Sequence, residues 1–482
     1  MTDHVPHDET VAANRPDLPA PGEEIVLTVE KIVTGGAGLA RHAGAVVFVP
    51  GTAPGEKVRA RVVRRRRGFL EAEVVEILTA SPERVPPPLG EVGSACGLDL
   101  QHLAPAAQRQ VKAEIVRDCF RRLAGLDVSE LLENPPPAGP DLGYRHKIRL
   151  WRAPDGRYGM RRRGSHDVVP VDTLPLLPAV FDTTILPWLR LLPPVDEVVI
   201  RLDERGGWLV SLFGPPGRLR LLRTVLKQRP GGEPPAPGCV GVLFNNRPLW
   251  GRDHLLYRLG GHTYRVGAGS FFQVNPAETE AALAALRQWL DEAAITPDRP
   301  AGWLVDLYCG VGLFSLALAD RCRRLVGVEQ HAGAVRDARN NLRRDRAAAG
   351  KGTIVQESVT RALWRWSAPE PTADDDGTTD GDGTSEPLPR PDWSDAVVVF
   401  DPPRRGLGAD DASRLADLGA PLLVGMACDP AALARDMKVL AARGYRIRRL
   451  RMVDMFPHTS HVEVLVLLTR EPGEPTTPPA GA

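Results

Sequence analysis

No apolar run in the sequence is long enough to span a bilayer, and no basic stretch near its start leads into an apolar segment of signal-peptide type. A soluble, cytoplasmic protein without a membrane partner is therefore expected. Charge of one sign is lacking too. The 61 Lys and Arg residues stand against 60 Asp and Glu residues, so the total excludes no partner and only the distribution is informative. Cysteine is scarce: six residues, at 96, 119, 239, 309, 322 and 428, with no CxxC spacing. That pattern gives neither a disulfide framework nor a zinc site. Lysine is sparse beside abundant Arg, Ala, Gly and Pro. This reads as base composition, so a single arginine carries little weight. The 482 residues allow roughly two to four domains.

What is present changes along the chain. Residues 1–21 are polar, acidic and Pro-containing, and are expected to be a disordered tail. From Glu23 to about Leu78 short alternating strands are separated by Gly and Pro turns, as in a small five-stranded barrel. Within it, Lys57–Arg67 holds seven basic residues and no acid. Such a run is either a solvated strand edge or a face that tracks phosphates. A helical stretch follows from about Pro105 to Leu123, then a Pro-rich linker from Asn134. The region 81–262 reads as α/β, with basic and aromatic residues mixed over 144–166. That mixture suits a nucleic-acid groove or a polar outer sheet face.

From 263 to 470 apolar strands alternate with helices. The strand candidates are Trp303–Leu307, Leu325–Glu329, Thr353–Val355, Ala396–Phe400, Pro421–Ala427 and Val462–Leu468, the last forming a terminal hairpin with Tyr445–Leu450. The alternation predicts a doubly wound, largely parallel sheet with helices on both faces. An acidic, Gly/Thr/Pro-rich insertion at 366–395 is expected to be a disordered surface loop.

Two places in this last region carry chemistry. Asp306-Leu-Tyr308-Cys309-Gly310-Val-Gly312 has the form strand, Gly-rich turn, helix, and Glu329 ends the next strand. A carboxylate there can take two ribose hydroxyls. The turn has fewer glycines than a dinucleotide fingerprint and no pyrophosphate grip, which favours S-adenosylmethionine over NAD. The second place is Cys428, where an apolar strand ends and Asp429-Pro430 opens a helix. The positive end of the helix dipole favours a thiolate there. The plain alternative is a buried cysteine acting as a small hydrophobe.

Together with the Asp306–Gly312 turn, four further stretches make the pattern specific. They are Gly269-Ser-Phe-Phe-Gln273-Val-Asn275, Asp401-Pro-Pro-Arg404-Arg-Gly406, Ala427-Cys428-Asp-Pro-Ala-Ala-Leu-Ala-Arg435-Asp436 and Asp454-Met-Phe-Pro-His-Thr-Ser-His461-Val-Glu463. In this order they resemble the RNA 5-methyluridine methyltransferase family, enzymes that use S-adenosylmethionine to methylate uracil C5 in tRNA or 23S rRNA. The N-terminal barrel resembles a TRAM domain. The resemblance runs over about residues 23–469. It implies a class I methyltransferase fold, Cys428 as the nucleophile that adds to uracil C6, and Glu463 as the acceptor of the C5 proton. It further implies cofactor contacts from Gln273, Tyr308, Glu329, Ser358 and Asp401. Ser358 stands where the family usually has Asn or Asp, and Leu313 where some members carry a cofactor-contacting Asn.

The Asp401-Pro-Pro-Arg404 stretch has an arginine where amino-group methyltransferases place an aromatic ring, which argues against N-methylation. Many family members with a TRAM domain bind an iron–sulfur cluster through CxxxxxCxxC and one later cysteine. Here the corresponding Ala95-Cys96-Gly-Leu98 and Leu174-Pro-Leu-Leu stretches hold one thiol. A cluster needs about four ligands, so none is expected, and Cys309 is expected to pack rather than react. The barrel favours 23S rRNA over tRNA as the partner. A monomer is the default expectation. The competing readings are a non-catalytic RNA-binding protein and methylation at another atom, such as an amino nitrogen or cytosine C5.

Overall fold

Alternation of apolar and charged residues in the first strands requires a sheet with one dry face. In the computed structural model, which describes residues 18–227, 233–368 and 388–471, five strands close that face on itself. They are β1 (Glu24–Ile32), β2 (Ala37–His42), β3 (Ala45–Pro50), β4 (Lys57–Arg66) and β5 (Phe69–Thr79), in the order β1-β2-β3-β5-β4. The inward residues, among them Leu27, Val47, Val58, Ala60 and Leu70, form the barrel core. The outward arginines of β4 do not form an unopposed cationic face. Arg59 pairs with Glu76, Arg61 with Glu24 and Glu73, and Arg64 and Arg66 with Glu71. The basic run is therefore largely answered by acids on neighbouring strands, and the reading as a solvated strand face is the one these pairs support.

Contacts divide the chain into two units. One comprises residues up to Ile115, Arg162–Gly164 and Phe456–His461; the other holds Val116–Arg161, Ser165–Met455 and the strand after Val462. The first unit adds helix α1 (Gly90–Ala95) and most of α2 (Pro105–Cys119) to the barrel. Its Phe456–His461 segment is held by that region. Asp99 accepts from the N–H and hydroxyl of Ser460, and the Lys112 ammonium donates to the Phe456 carbonyl.

The second unit contains two large sheets. After β6 (Leu132–Glu133) come β7 (Lys147–Arg152), β8 (Tyr158–Arg161), β9 (Val168–Pro170), β10 (Glu197–Leu202), β11 (Trp208–Phe213), β12 (Cys239–Phe244) and β13 (Arg247–Gly251). Strands β7 to β13 form one sheet, with short helices α3 (Leu186–Arg190) and α4 (Arg218–Lys227) between them in sequence. A hairpin, β14 (His254–Leu259) and β15 (His262–Gly267), leads into α5 (Pro276–Glu292).

The other sheet contains β16 (Ala301–Leu307), β17 (Cys322–Glu329), β18 (Gly352–Gln356), β19 (Ala396–Phe400), β20 (Leu422–Ala427), β21 (Tyr445–Val453) and β22 (Glu463–Arg470). Its order is β18-β17-β16-β19-β20-β22-β21-β6. The strands from β16 to β20 are parallel and β22 runs antiparallel to β20. Strands β19 and β20 are buried throughout, which is why they read as unbroken apolar runs. The intervening helices are α6 (Leu313–Ala317), α7 (Ala332–Arg344), α8 (Val359–Ser367), α9 (Ala409–Leu418) and α10 (Pro430–Ala441). Helix α6 packs on α7, while α8, α9 and α10 form a second contiguous layer. This is the doubly wound sheet expected from the strand–helix alternation.

Three expectations change. Most of the 1–21 tail lies outside the described residues, but residues 18–21 are placed, with Pro19 buried and the Leu18 carbonyl accepting from Arg65. The ends of the 366–395 insertion are structured, its middle (369–387) lying outside the described residues. Trp366 and Trp393 pack edge to face, and Trp366 Nε1 donates to the Pro389 carbonyl. Helix α8 is also present where only a strand and then the insertion were expected. It buries Val359, Ala362, Leu363 and Trp366 on one stripe.

Candidate active site

Parallel strands bring their carboxyl ends to one edge of a sheet, and ligands of open α/β sheets bind there. Asp306 lies near the end of β16, Glu329 ends β17, Asp401 follows β19 and Cys428 follows β20. Because β22 is antiparallel, its first residue, Glu463, reaches the same edge. The register pairs Ala427 with Val464, so Cys428 and Glu463 are the residues next to the last pair, and the Glu463 carboxylate acts electrostatically on the Cys428 thiol.

The cofactor side is built from backbone donors. Glu329 Oε2 accepts from the Gly310 N–H at 3.1 Å and Oε1 from the His331 N–H at 2.7 Å. The Gly-rich turn needs left-handed backbone: φ is 60° at Tyr308, 55° at Gly310 and 86° at Gly312. Cys309 packs inward against Gly327, where an added Cβ would lie 3.0 Å from its sulfur, and burial drives its thiol well above the ordinary range. Asp306 accepts from the Ser315 hydroxyl at 2.6 Å, and complete burial raises its carboxyl to about 7.

A cleft of about 620 Å³ opens beside this turn, lined by Gly267–Phe271, Gly310, Glu329 and His331. Helix α7 fixes its far wall. Asp337 accepts from the Gly267 N–H and the Ser270 hydroxyl, each at 2.7 Å. A clamped carboxylate at the cleft, with lone pairs left for hydroxyl donors, and a turn that approaches closely suit a nucleoside cofactor.

The reacting side is different. Glu463 is 4 % exposed and its Oε2 has no hydrogen-bond partner. Burial, then the Asp401 carboxylate, push its carboxyl up to about 8, with Arg404 opposing. Asp401 is raised to about 7 by burial and Asp306, offset by the Gln273 amide that donates to it at 3.4 Å. Cys428 is held at about 12 by burial and the Glu463 and Asp401 carboxylates, again opposed by Arg404. Asp429 caps α10 by accepting from the Ala431 and Ala432 N–H groups, and Pro430 takes the first helical position. The local geometry expected at Cys428 is therefore present. The thiolate is not favoured there: burial first, then the two carboxylates, raise the thiol.

Of the other expected residues, Ser358 sits at the start of α8, where its hydroxyl caps the helix by accepting from the Arg361 N–H. The Tyr308 hydroxyl is buried without a hydrogen bond, and the charges it feels are those of Asp411, Arg405 and Asp436. Sequence reasoning gave no role to Asp436, whose carboxylate accepts from the Leu407 and Gly408 N–H groups and so ties down the loop after Asp401. A Cβ at Gly406 would come within 2.5 Å of Asp436 Oδ2, so the two positions are locked together. Their only signal was membership of the quoted Arg404-Arg-Gly406 and Arg435-Asp436 stretches. Asp337 and Asn341 on α7 were likewise missed. Among the described residues no group of three or more His, Cys, Asp or Glu side chains converges as a metal site.

A doubly wound sheet with one antiparallel strand, a clamped carboxylate beside a Gly-rich turn and a barrel ahead of it define a class I methyltransferase that acts on RNA. Comparisons with known proteins narrow this. The family described as TRAM domain matches residues 20–75, and that described as tRNA (Uracil-5-)-methyltransferase matches residues 388–471. An uncharacterized RNA methyltransferase of Streptomyces coelicolor is 34% identical over 480 residues, covering 93% of each chain. A 23S rRNA (uracil(1939)-C(5))-methyltransferase of Chromohalobacter salexigens is 32% identical over 485 residues, covering 95% of this chain and 91% of that one. The crystal structure of Pyrococcus abyssi tRNA (uracil-54, C5)-methyltransferase, in complex with S-adenosyl-L-homocysteine, shares the fold at a TM-score of 0.65 and 21% identity, covering 92% of this chain and all of that one. The chain belongs to the RNA uracil-C5 methyltransferase family, whose methyl donor is S-adenosylmethionine.

Proposed function

We propose that the protein makes 5-methyluridine in 23S rRNA, with Cys428 as nucleophile and Glu463 as proton acceptor. The observation that supports this reading is the Ala427–Val464 pair that ends the β20–β22 ladder, with Cys428 and Glu463 the next residues on either side and the Glu463 carboxylate acting on the thiol. Uracil C5 is too weak a nucleophile to accept a methyl group unaided. Addition of the Cys428 thiolate to C6 forms an S–C6 bond and moves the π electrons onto C5 and O4. When bound, S-adenosylmethionine would supply an electrophilic methyl group to C5, its S–CH3 bond breaking to leave the neutral thioether S-adenosylhomocysteine. Once C5 is methylated, Glu463 removes its remaining proton, the C5–C6 double bond re-forms, and the S–C6 bond breaks to return the thiolate. Glu463 suits that step because its carboxyl is raised to about 8, close to the operating pH. Reaching the base requires it to leave the RNA stack.

In the resting site the thiol keeps its proton, so the nucleophile forms when charge balance changes. Arg404 already opposes the two carboxylates at Cys428, and the positive sulfonium of a bound cofactor would add to that opposition. Glu329 and Gly310 are assigned to the nucleoside part of the cofactor, with Gln273 and Asp401 toward its reacting end. Tyr308 and Ser358 are assigned as walls of the same site. The choice of 23S rRNA over tRNA rests on full-length similarity to a 23S rRNA enzyme and on the TRAM barrel. Mapping 5-methyluridine in both RNAs, with and without the gene, tests it. Loss of one 23S rRNA site is expected; loss confined to tRNA overturns the choice.

A further inference from the structure

A second cleft of about 620 Å³ lies between the β14–β15 hairpin and the carboxyl end of α7. Its charged lining is Arg252, Arg265, Arg344, Arg346, Asp345 and two histidines, one of them His262. Arg252, Arg344 and Arg346 are exposed and have no ion-pair partner among the described residues. Asp345 offsets only part of this charge, and its oxygens are turned to His262 and to backbone N–H groups rather than to the arginines. Oδ2 meets His262 Nδ1 at 2.6 Å, and Oδ1 accepts from the Ala347 and Ala348 N–H groups. The floor is rigid: Asn341 accepts from the Arg265 N–H at 2.7 Å and donates to its carbonyl at 3.0 Å.

Arginines in the last turn of a helix are favourable to its dipole by themselves. Here Arg252 comes from the segment after β13, and Arg344 and Arg346 from the end of α7 and just beyond it, so unpaired cations from two parts of the chain converge on one concave surface, while Arg265 in the floor is paired with Asp253 and Asp337. A cleft with an excess of one sign of charge concentrates an oppositely charged polymer, and guanidinium groups match phosphate geometry. The barrel strand β4 is the instructive contrast, since its arginines are paired.

We infer that this cleft is a second RNA-binding site, which grips backbone phosphates of the substrate RNA through Arg252, Arg344 and Arg346. The inference rests on the RNA methyltransferase reading for the identity of the polyanion. It also gives RNA a structural route to the cofactor cleft. Arg265, in the cleft floor, pairs with Asp337, which holds Gly267 and Ser270.

The test measures binding of transcribed 23S rRNA and of bulk tRNA by the full chain as a function of salt. The variants are R344E/R346E and, as a milder pair, R344Q/R346Q. Each lost phosphate contact removes about 0.7–0.9 from the slope of log K against log salt, so the slope should fall by roughly 1.4–1.8. Affinity should weaken about ten-fold near physiological salt. S-adenosylmethionine affinity and covalent trapping at saturating RNA should stay at wild-type levels. Wild-type RNA affinity and slope in both variants overturns the inference. So does tight binding of UMP or inorganic phosphate that the variants lose without any loss of RNA affinity. Should no RNA be trapped covalently by the wild type, the catalytic reading fails, while the binding arms still decide the cleft.

Discussion

Glu329 and Glu463 stand at the same edge of one sheet, and both are nearly buried, but their oxygens meet different fates. Each oxygen of Glu329 receives a backbone N–H. Glu463 is left with one oxygen unpaired, a neighbouring carboxylate and a carboxyl raised to about 8. A carboxylate that only holds a ligand benefits from being fixed in place, because each bound donor lowers its freedom. One that must take a proton benefits from having its charge disfavoured until the reaction needs it. The difference supports the proposed assignment of Glu329 to binding and Glu463 to proton transfer.

The largest break in that comparison is Glu463→Gln. It keeps the shape and removes the base, so turnover should fall about 10²–10⁴-fold. Unmodified RNA should then accumulate as a methylated adduct on Cys428, seen as a protein–RNA band that survives denaturation. Normal turnover without such a band would remove Glu463 from its role. Glu329→Ala should act on the other side of the comparison. Removing the proposed hydrogen-bonding partner of the cofactor should weaken S-adenosylmethionine about 10–100-fold, or roughly 1.5–3 kcal/mol. Calorimetric titration reads this, and an unchanged affinity would refute the assignment.

Asp436→Asn tests whether the loop after Asp401 needs its tether. Half of the acceptor capacity becomes a donor facing backbone N–H groups, so turnover should drop several-fold, with the cofactor affinity much less affected. Equal loss in both would show a general packing defect instead. The smallest effect is on stability. The folded pKa of Glu463, about 8, lies above its ordinary 4.5. The folded chain therefore binds more protons than the unfolded one in that window, and stability declines as pH rises through it. Glu463→Gln should raise Tm by about 1–3 °C near pH 9 and much less near pH 5. A shift independent of pH would contradict the raised carboxyl.

Much of this site was legible because it depends on local order. Asp429-Pro430 announces a capped helix start, and the apolar runs at Ala396–Phe400 and Leu422–Ala427 announce buried parallel strands. What escaped depends on partners distant in sequence. The sequence left the arginines of β4 open between a solvated edge and a phosphate-tracking face because their partners Glu71, Glu73 and Glu76 lie on another strand. Cys428 looked like a thiolate because the carboxylates of Asp401 and Glu463 arrive from β19 and β22. The two-residue strand β6 had no pattern to read; it exists through its pairing with Leu450 and Arg451 and an ion pair from Glu133 to Arg451. Helix α8 did carry a legible stripe, but the acidic insertion behind it masked the pattern.

The most direct test of the central claim uses RNA carrying 5-fluorouracil, whose C5 fluorine cannot be removed as a proton. With S-adenosylmethionine present, the wild-type protein should form a stable covalent adduct with this RNA, mapped by peptide mass to Cys428, and Cys428→Ala should form none while still binding RNA. An adduct that persists in Cys428→Ala, or its absence with both 23S rRNA and tRNA substrates, would contradict the account.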